Sequence, residues 1–152
     1  MGYDRVLFME LLYRMGNESF VAVSLGSAVV IDVVVRSEHV AGFISPGISK
    51  MEEALKSISP VLSERLDNGS EVSFSPDDTS KAMSSGIYLP LYLLVERLCK
   101  IYSVRKVFFT GGDAREFICK LQRLLAALEV TYLEEASLRA LPVVSGIVSL
   151  KP

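Results

Sequence analysis

Histidine occurs once in this chain of 152 residues and cysteine twice, so the residue types that hold transition metals or redox couples are nearly missing. His39 has no second histidine and no thiolate pair near it in sequence, which argues against a zinc-type centre and for an exposed histidine at a strand end. Cys99 and Cys119 fall inside helical patterns without CxxC spacing and read as two buried thiols of a reducing compartment. A basic surplus is also lacking: 16 Lys+Arg against 18 Asp+Glu give a net charge of −2 and a pI near 5.5. That leaves no electrostatic footprint for nucleic acid or anionic lipid. No apolar run is long enough to span a bilayer, because the longest, Phe20 to Val35, is interrupted by Ser24 and Asp32. The first twenty residues disperse Asp4, Arg5, Glu10, Arg14 and Glu18 among apolar neighbours, unlike a signal peptide, and Val6 stands where a myristoylation signal needs Ser or Thr. These absences predict a cytoplasmic protein with no membrane or nucleic-acid partner.

What the chain does have is apolar residues. They make up 50% of the sequence, and the mean hydropathy is +0.37. Either a dense core or apolar surface covered by a partner accounts for this, and an oligomer is expected. The length suits one domain. Leu7, Leu11, Leu12 and Met15 predict a short opening helix, preceded by four residues of loop. Phe20 to Ser24, Ala28 to Val35 and His39 to Ile44 predict three strands in an antiparallel meander. Met51, Ala54, Leu55, Ile58, Leu62 and Leu66 mark one helical face that Pro60 breaks or kinks. After a polar loop, Asp78 caps a long helix that reaches about Tyr102 through Pro90. Lys106 to Phe109 predicts a strand, Thr110-Gly111-Gly112 a turn, and Asp113 a cap for a helix whose stripe runs from Phe117 to Leu128. Val130 to Leu133 and a last helix from about Ser137 complete the order. After the opening helix that order is βββ-α-α-β-α-β-α, the layout of an α/β, ribonuclease-H-like domain with a mixed sheet and helices on both faces.

Four short segments carry candidate chemistry. Gly2-Tyr3-Asp4-Arg5 sets a carboxylate beside a guanidinium: Arg grips carboxylates with paired hydrogen bonds and Asp accepts a proton from a hydroxyl, although a solvated terminal ion pair has the same sequence. Ser24-Leu25-Gly26-Ser27 is either a plain hairpin turn or a close backbone approach to a phosphate with Ser27 adding a hydroxyl. Gly42-Phe43-Ile44-Ser45-Pro46-Gly47 leads into a helix and reads as a Pro-Gly turn or the lining of a ligand site. Val107 to Gly112 is a strand ending in two glycines before a helix, which suits a nucleotide or simply a tight βα connection.

Their order is more specific than any one of them. Gly-x-Asp-Arg from Gly2, Gly-Ser-Ala-x-x-Ile-Asp-Val-Val from Gly26, Gly-x-Ile-x-Pro-Gly from Gly42, Asp-Thr-x-x-Ala-x-x-Ser-Gly-Ile from Asp78 and Thr-Gly-Gly-Asp-Ala from Thr110 resemble the C-terminal half of type III pantothenate kinases. These belong to the superfamily of acetate and sugar kinases, heat-shock chaperones and actin. The resemblance runs over residues 2–145, including the tail Leu133 to Leu141, and makes residues 1–152 a single actin-like ATPase domain.

The resemblance implies that Gly2, Tyr3, Asp4 and Arg5 hold pantothenate, with Asp4 as the catalytic proton acceptor, and that Thr79 reaches pantothenate across a dimer interface. It places Gly26 and Ser27 at the ATP phosphates and Gly111 and Gly112 near the adenosine. The family's Asp-x-Gly-Asn-Thr loop, which binds phosphates and Mg²⁺, lies in an N-terminal domain that is expected to be absent here. Ser24 replaces the family's aspartate for a monovalent cation, so no metal ligand is expected in the chain and that cation is doubtful; Val29 and Val30 replace two threonines. The expectation is a subunit that phosphorylates pantothenate with ATP, the first step towards coenzyme A, together with a partner chain carrying the Asp-x-Gly-Asn-Thr half, in a homo- or heterodimer. A truncated gene is the other account of the missing half. The rival is a non-catalytic pantothenate-binding or regulatory protein of the same fold.

Overall fold

Strands covered on both faces read as continuous apolar runs, and the first two strands do. β1 (Phe20–Leu25) and β2 (Ala28–Val35) are almost wholly buried, whereas β3 (Glu38–Pro46) is mostly exposed. A computed structural model describes residues 2–66 and 69–134, and the helix expected from about Ser137 lies outside them. The sheet has five strands in the order β3-β2-β1-β4-β5, with β4 at Lys106–Thr110 and β5 at Glu129–Tyr132. The first three strands form the expected antiparallel meander, and β1, β4 and β5 run parallel. The chain therefore leaves β1 on one side by a hairpin and returns on its other side by a helical crossover. A crevice opens at the carboxyl ends of β1 and β4, where ligands of open α/β sheets sit.

Alternating side chains divide the interior into two layers. Val21, Val23, Leu25, Ile31, Val33, Val107 and Phe109 pack beneath α4 (Thr79–Tyr102) through Ile87, Tyr88, Leu91 and Val95, and beneath α5 (Ala114–Lys120) through Phe117. On the other face Phe20, Ala22, Val34 and Phe108 meet Phe8 and Leu12 of α1 (Tyr3–Arg14). Helices thus cover both faces, as the order of elements predicts. None of the helices among the described residues is long and apolar enough to cross a membrane.

Several boundaries differ from the sequence reading. The opening helix begins at Tyr3, so Tyr3, Asp4 and Arg5 form its first turn instead of a loop. Apolar periodicity starts only at Leu7 and hides a polar first turn, in which Asp4 is favoured by the helix dipole. The helix expected from Met51 to Leu66 is two, α2 (Ile48–Ile58) and α3 (Pro60–Arg65). Pro60 ends one and starts the other: it has no N–H to donate, and the Ser59 hydroxyl accepts from Leu62 N–H at 3.2 Å. Pro90, in contrast, sits within unbroken α4. The stripe from Phe117 divides between α5 and a short α6 (Gln122–Leu125). Asp78 caps α4 as expected, accepting from Lys81 N–H at 2.8 Å, but Asp113 makes no side-chain cap to α5. Cys99 is buried and Cys119 exposed, which corrects the reading of two buried thiols.

Candidate functional site

Three turns meet at the carboxyl ends of β1 and β4, and close backbone contact sets where each lies. At Gly47, after β3, the N–H donates to the Ser27 carbonyl at 3.2 Å; a Cβ there would overlap the Gly26 carbonyl oxygen and come 2.8 Å from that of Ser27. Gly111, after β4, takes φ +101°, and its Cβ would overlap the Leu25 carbonyl oxygen. The next turn of chain is tied to the same strand by Asp113 N–H to Leu25 O at 3.1 Å. Gly26 and Gly112 differ, since a Cβ on either would meet nothing within 4 Å. Their backbones face open space.

That space is a cavity of about 400 Å³. Gly2, Asp4 and Arg5 line it from the first turn of α1, Ser24, Gly26 and Ser27 from the β1–β2 hairpin, and Gly111 and Gly112 from the β4–α5 turn. Seven of the nine residues named from sequence are thus brought to one place. Tyr3 is 63% exposed and does not line the cavity. Thr79, at the head of α4, does not line it either. Of the two valines that stand where the family pattern has threonine, Val30 lines the cavity and Val29 is buried in the core on the opposite face.

Sequence reasoning missed the residues that organise this wall. The Arg5 Nε–H donates to Asp32 Oδ2 at 3.1 Å and its Nη2–H to Asp32 Oδ1 at 2.5 Å. Arg5 is therefore not the solvated partner of its neighbour Asp4; it crosses to a carboxylate on β2. The hydrogen bonds that Arg5 donates to Asp32 hold its guanidinium further above its usual range, burial opposing and charge attraction adding. The Nε2 of His39 lies 2.8 Å from Asp32 Oδ1, so this histidine is exposed, as expected, but engaged. No hydrogen bond or ion pair to the Asp4 carboxylate forms among the described residues. Thr110 also lines the cavity, and its hydroxyl is buried without a partner. Beside the β4–α5 turn, burial first and the Glu116 charge second raise the Asp113 carboxyl above the ordinary carboxylate range. The one signal in the sequence for Asp32 is a lone charge within an eight-residue β-branched strand.

The open backbones at Gly26 and Gly112, with the unpartnered Thr110 hydroxyl, fit a nucleotide lying along the hairpin and the βα turn. Among the described residues no group of three or more His, Cys, Asp or Glu side chains is placed to hold a metal ion.

The family model for type III pantothenate kinase matches residues 1–101. A type III pantothenate kinase of Wolinella succinogenes is 39% identical over 100 residues, covering 66% of this chain and 46% of its own length. One from Marinomonas sp. is 33% identical over 133 residues, covering 85% of this chain and 52% of its own. The chain spans about half the length of the curated relatives it matches. Among solved structures, a Campylobacter jejuni protein assigned to the Baf family of transcriptional activators aligns with a TM-score of 0.67 at 27% identity, covering 98% of this chain and 62% of that one. A Sinorhizobium meliloti protein described as a 2-dehydro-3-deoxygalactonokinase aligns at a TM-score of 0.63 over all of this chain and 59% of that one; at 10% identity the likeness is one of fold alone.

Proposed function

The chain belongs to the type III pantothenate kinase family, and from that premise we propose that it carries the acceptor-binding and base half of an enzyme that transfers a phosphoryl group from ATP to pantothenate. The observation that carries the reading is one cavity lined both by Asp4 and Arg5 and by the Gly26-Ser27 and Gly111-Gly112 turns. Phosphoryl transfer is mostly positioning and charge neutralisation, and the cavity wall offers the parts that position the acceptor.

Pantothenate has a carboxylate and a primary alcohol. Arg5 spends one edge on Asp32 and keeps three of its five N–H donors for the acceptor's carboxylate. Asp4, free of other partners among the described residues, takes the proton of the alcohol as the new P–O bond forms. ATP supplies the phosphoryl group and leaves as ADP, its triphosphate lying against the Gly26 backbone and the Ser27 hydroxyl and its adenosine against the open backbone at Gly112. The 152 residues contain no Asp-x-Gly-Asn-Thr, so in this reading the phosphate loop and the Mg²⁺ it binds are supplied from outside this segment, and a partner polypeptide bearing that loop is the proposed source. Thr79 does not line its own chain's cavity, which supports the reading that it serves the cavity of a second copy.

The test is transfer of labelled γ-phosphate to pantothenate by the purified chain, alone and mixed with a polypeptide bearing the phosphate loop. Turnover only in the mixture is expected. Pantothenate binding with no turnover in any mixture would favour a non-catalytic binding subunit and overturn the proposal.

A further inference from the structure

Asp32 is 3% exposed in a strand that is otherwise β-branched or alanine. Burying an ionised carboxylate among apolar groups costs several kcal/mol unless it is paired and hydrogen-bonded. Arg5 and His39 supply that pairing, from α1 and β3. The neighbours of Asp32 across the sheet are Ala22 on β1 and Gly42 on β3. Their smallness leaves the slot into which Arg5 reaches. A Cβ on Gly42 would overlap Arg5 Nη2 and lie 2.9 Å from Asp32 Oδ1 and 3.3 Å from His39 Nε2. Four elements thus converge on one carboxylate at the wall of the cavity, and Asp32 itself lines it beside Arg5 and Asp4.

We infer that Asp32 is a positioning residue of the acceptor site, a role that rests on the reading of the cavity given above. It fixes the Arg5 guanidinium by one edge and turns the remaining donors to the acceptor. By anchoring the first turn of α1 against the sheet it also sets the neighbouring Asp4 carboxylate. His39 donates from Nε2 to the same carboxylate oxygen and steadies it from β3. Two packed apolar residues would stabilise the fold as well or better; a bidentate ion pair adds direction.

Two readouts on the full chain test this. In ¹⁵N spectra the Arg5 Nε–H of the wild type should exchange slowly with water; Asp32→Asn should abolish that protection, and Gly42→Ala should do the same without touching any charge. An Arg5 Nε–H that stays protected in both variants would overturn the inference. The second readout is pantothenate affinity by calorimetry in a double-mutant cycle. Asp32→Ala should weaken binding by about tenfold to a hundredfold, as expected for a lost charge-assisted hydrogen bond, and should have no further effect in the Arg5→Ala background. Equal losses in both backgrounds would show that Asp32 acts independently of Arg5 and also overturn it. If the wild type binds no pantothenate while the Arg5 signal behaves as described, the functional reading fails and with it the role at an acceptor site, while the fixing of Arg5 by Asp32 stands. Should Asp32→Asn prove unfolded by circular dichroism, Gly42→Ala decides.

Discussion

Gly111 and Gly112 are adjacent, and the same substitution should have opposite consequences at the two. At Gly111 the backbone passes through φ +101°, a region that a side chain with Cβ occupies at a cost of about 1–2 kcal/mol. An alanine Cβ would also overlap the Leu25 carbonyl oxygen and approach the Leu25 carbonyl carbon to 2.7 Å. Backbone cannot rotate away as a side chain can, so the turn must lift off β1. That breaks the 3.1 Å bond from Asp113 N–H to Leu25 O, worth about 0.5–1.5 kcal/mol. Gly111→Ala should therefore destabilise the chain by roughly 2–4 kcal/mol, a large part of the total of a domain this size. Gly112→Ala meets nothing within 4 Å, so its stability should stay within about 0.5 kcal/mol of wild type. Because that open space is where the nucleotide is proposed to lie, Gly112→Ala should fold normally and bind ATP more weakly. Urea unfolding followed by far-ultraviolet circular dichroism measures the difference, and the Gly111→Ala midpoint should fall by about 1–2 M at unchanged slope. Midpoints for the two variants within about 0.3 M of each other would refute the close approach to β1 as the reason for glycine at 111.

Three further outcomes are expected. Reconstituted activity should depend little on K⁺ against a Na⁺ or Tris background, because Ser24 at the cavity offers a neutral hydroxyl; a large saturable activation would show another ligand. Burial pushes the Cys99 thiol up to about 11, so at pH 8 iodoacetamide should modify only Cys119 in the native chain and both thiols in urea. The stability that the neutral Cys99 thiol contributes should be complete below its unfolded value near 9 and lost as pH rises towards 11, so the urea midpoint should drop less between pH 8 and 10.5 in Cys99→Ala than in wild type.

The meander and the two parallel strands were legible as short β-branched or apolar runs bounded by turn residues, and the crossover helices by the helical period that sets in after Gly47. The start of α1 was not, since a polar first turn has no period. The division at Ser59-Pro60 was only half legible: proline breaks that helix but is absorbed in α4, and local sequence does not separate the two cases. The candidate site was legible as a set of motifs, seven of whose residues share one cavity. Their sequence gave no sign that Arg5 is committed to Asp32, because the pairing joins residues 27 positions apart and depends on the small neighbours Ala22 and Gly42. Placing Thr79 at the site would require a second chain, which a single sequence does not display.

Asp4→Asn tests the central claim, that this chain contributes the base of a phosphoryl transfer. The carboxamide has nearly the same shape and leaves Arg5 and Asp32 in place, so the cavity should be preserved while the proton acceptor is lost. Steady-state kinetics of the reconstituted enzyme with pantothenate and ATP should show kcat lower by about 10²–10⁴-fold, with pantothenate affinity within several-fold of wild type. Turnover by Asp4→Asn at near wild-type kcat would contradict the account.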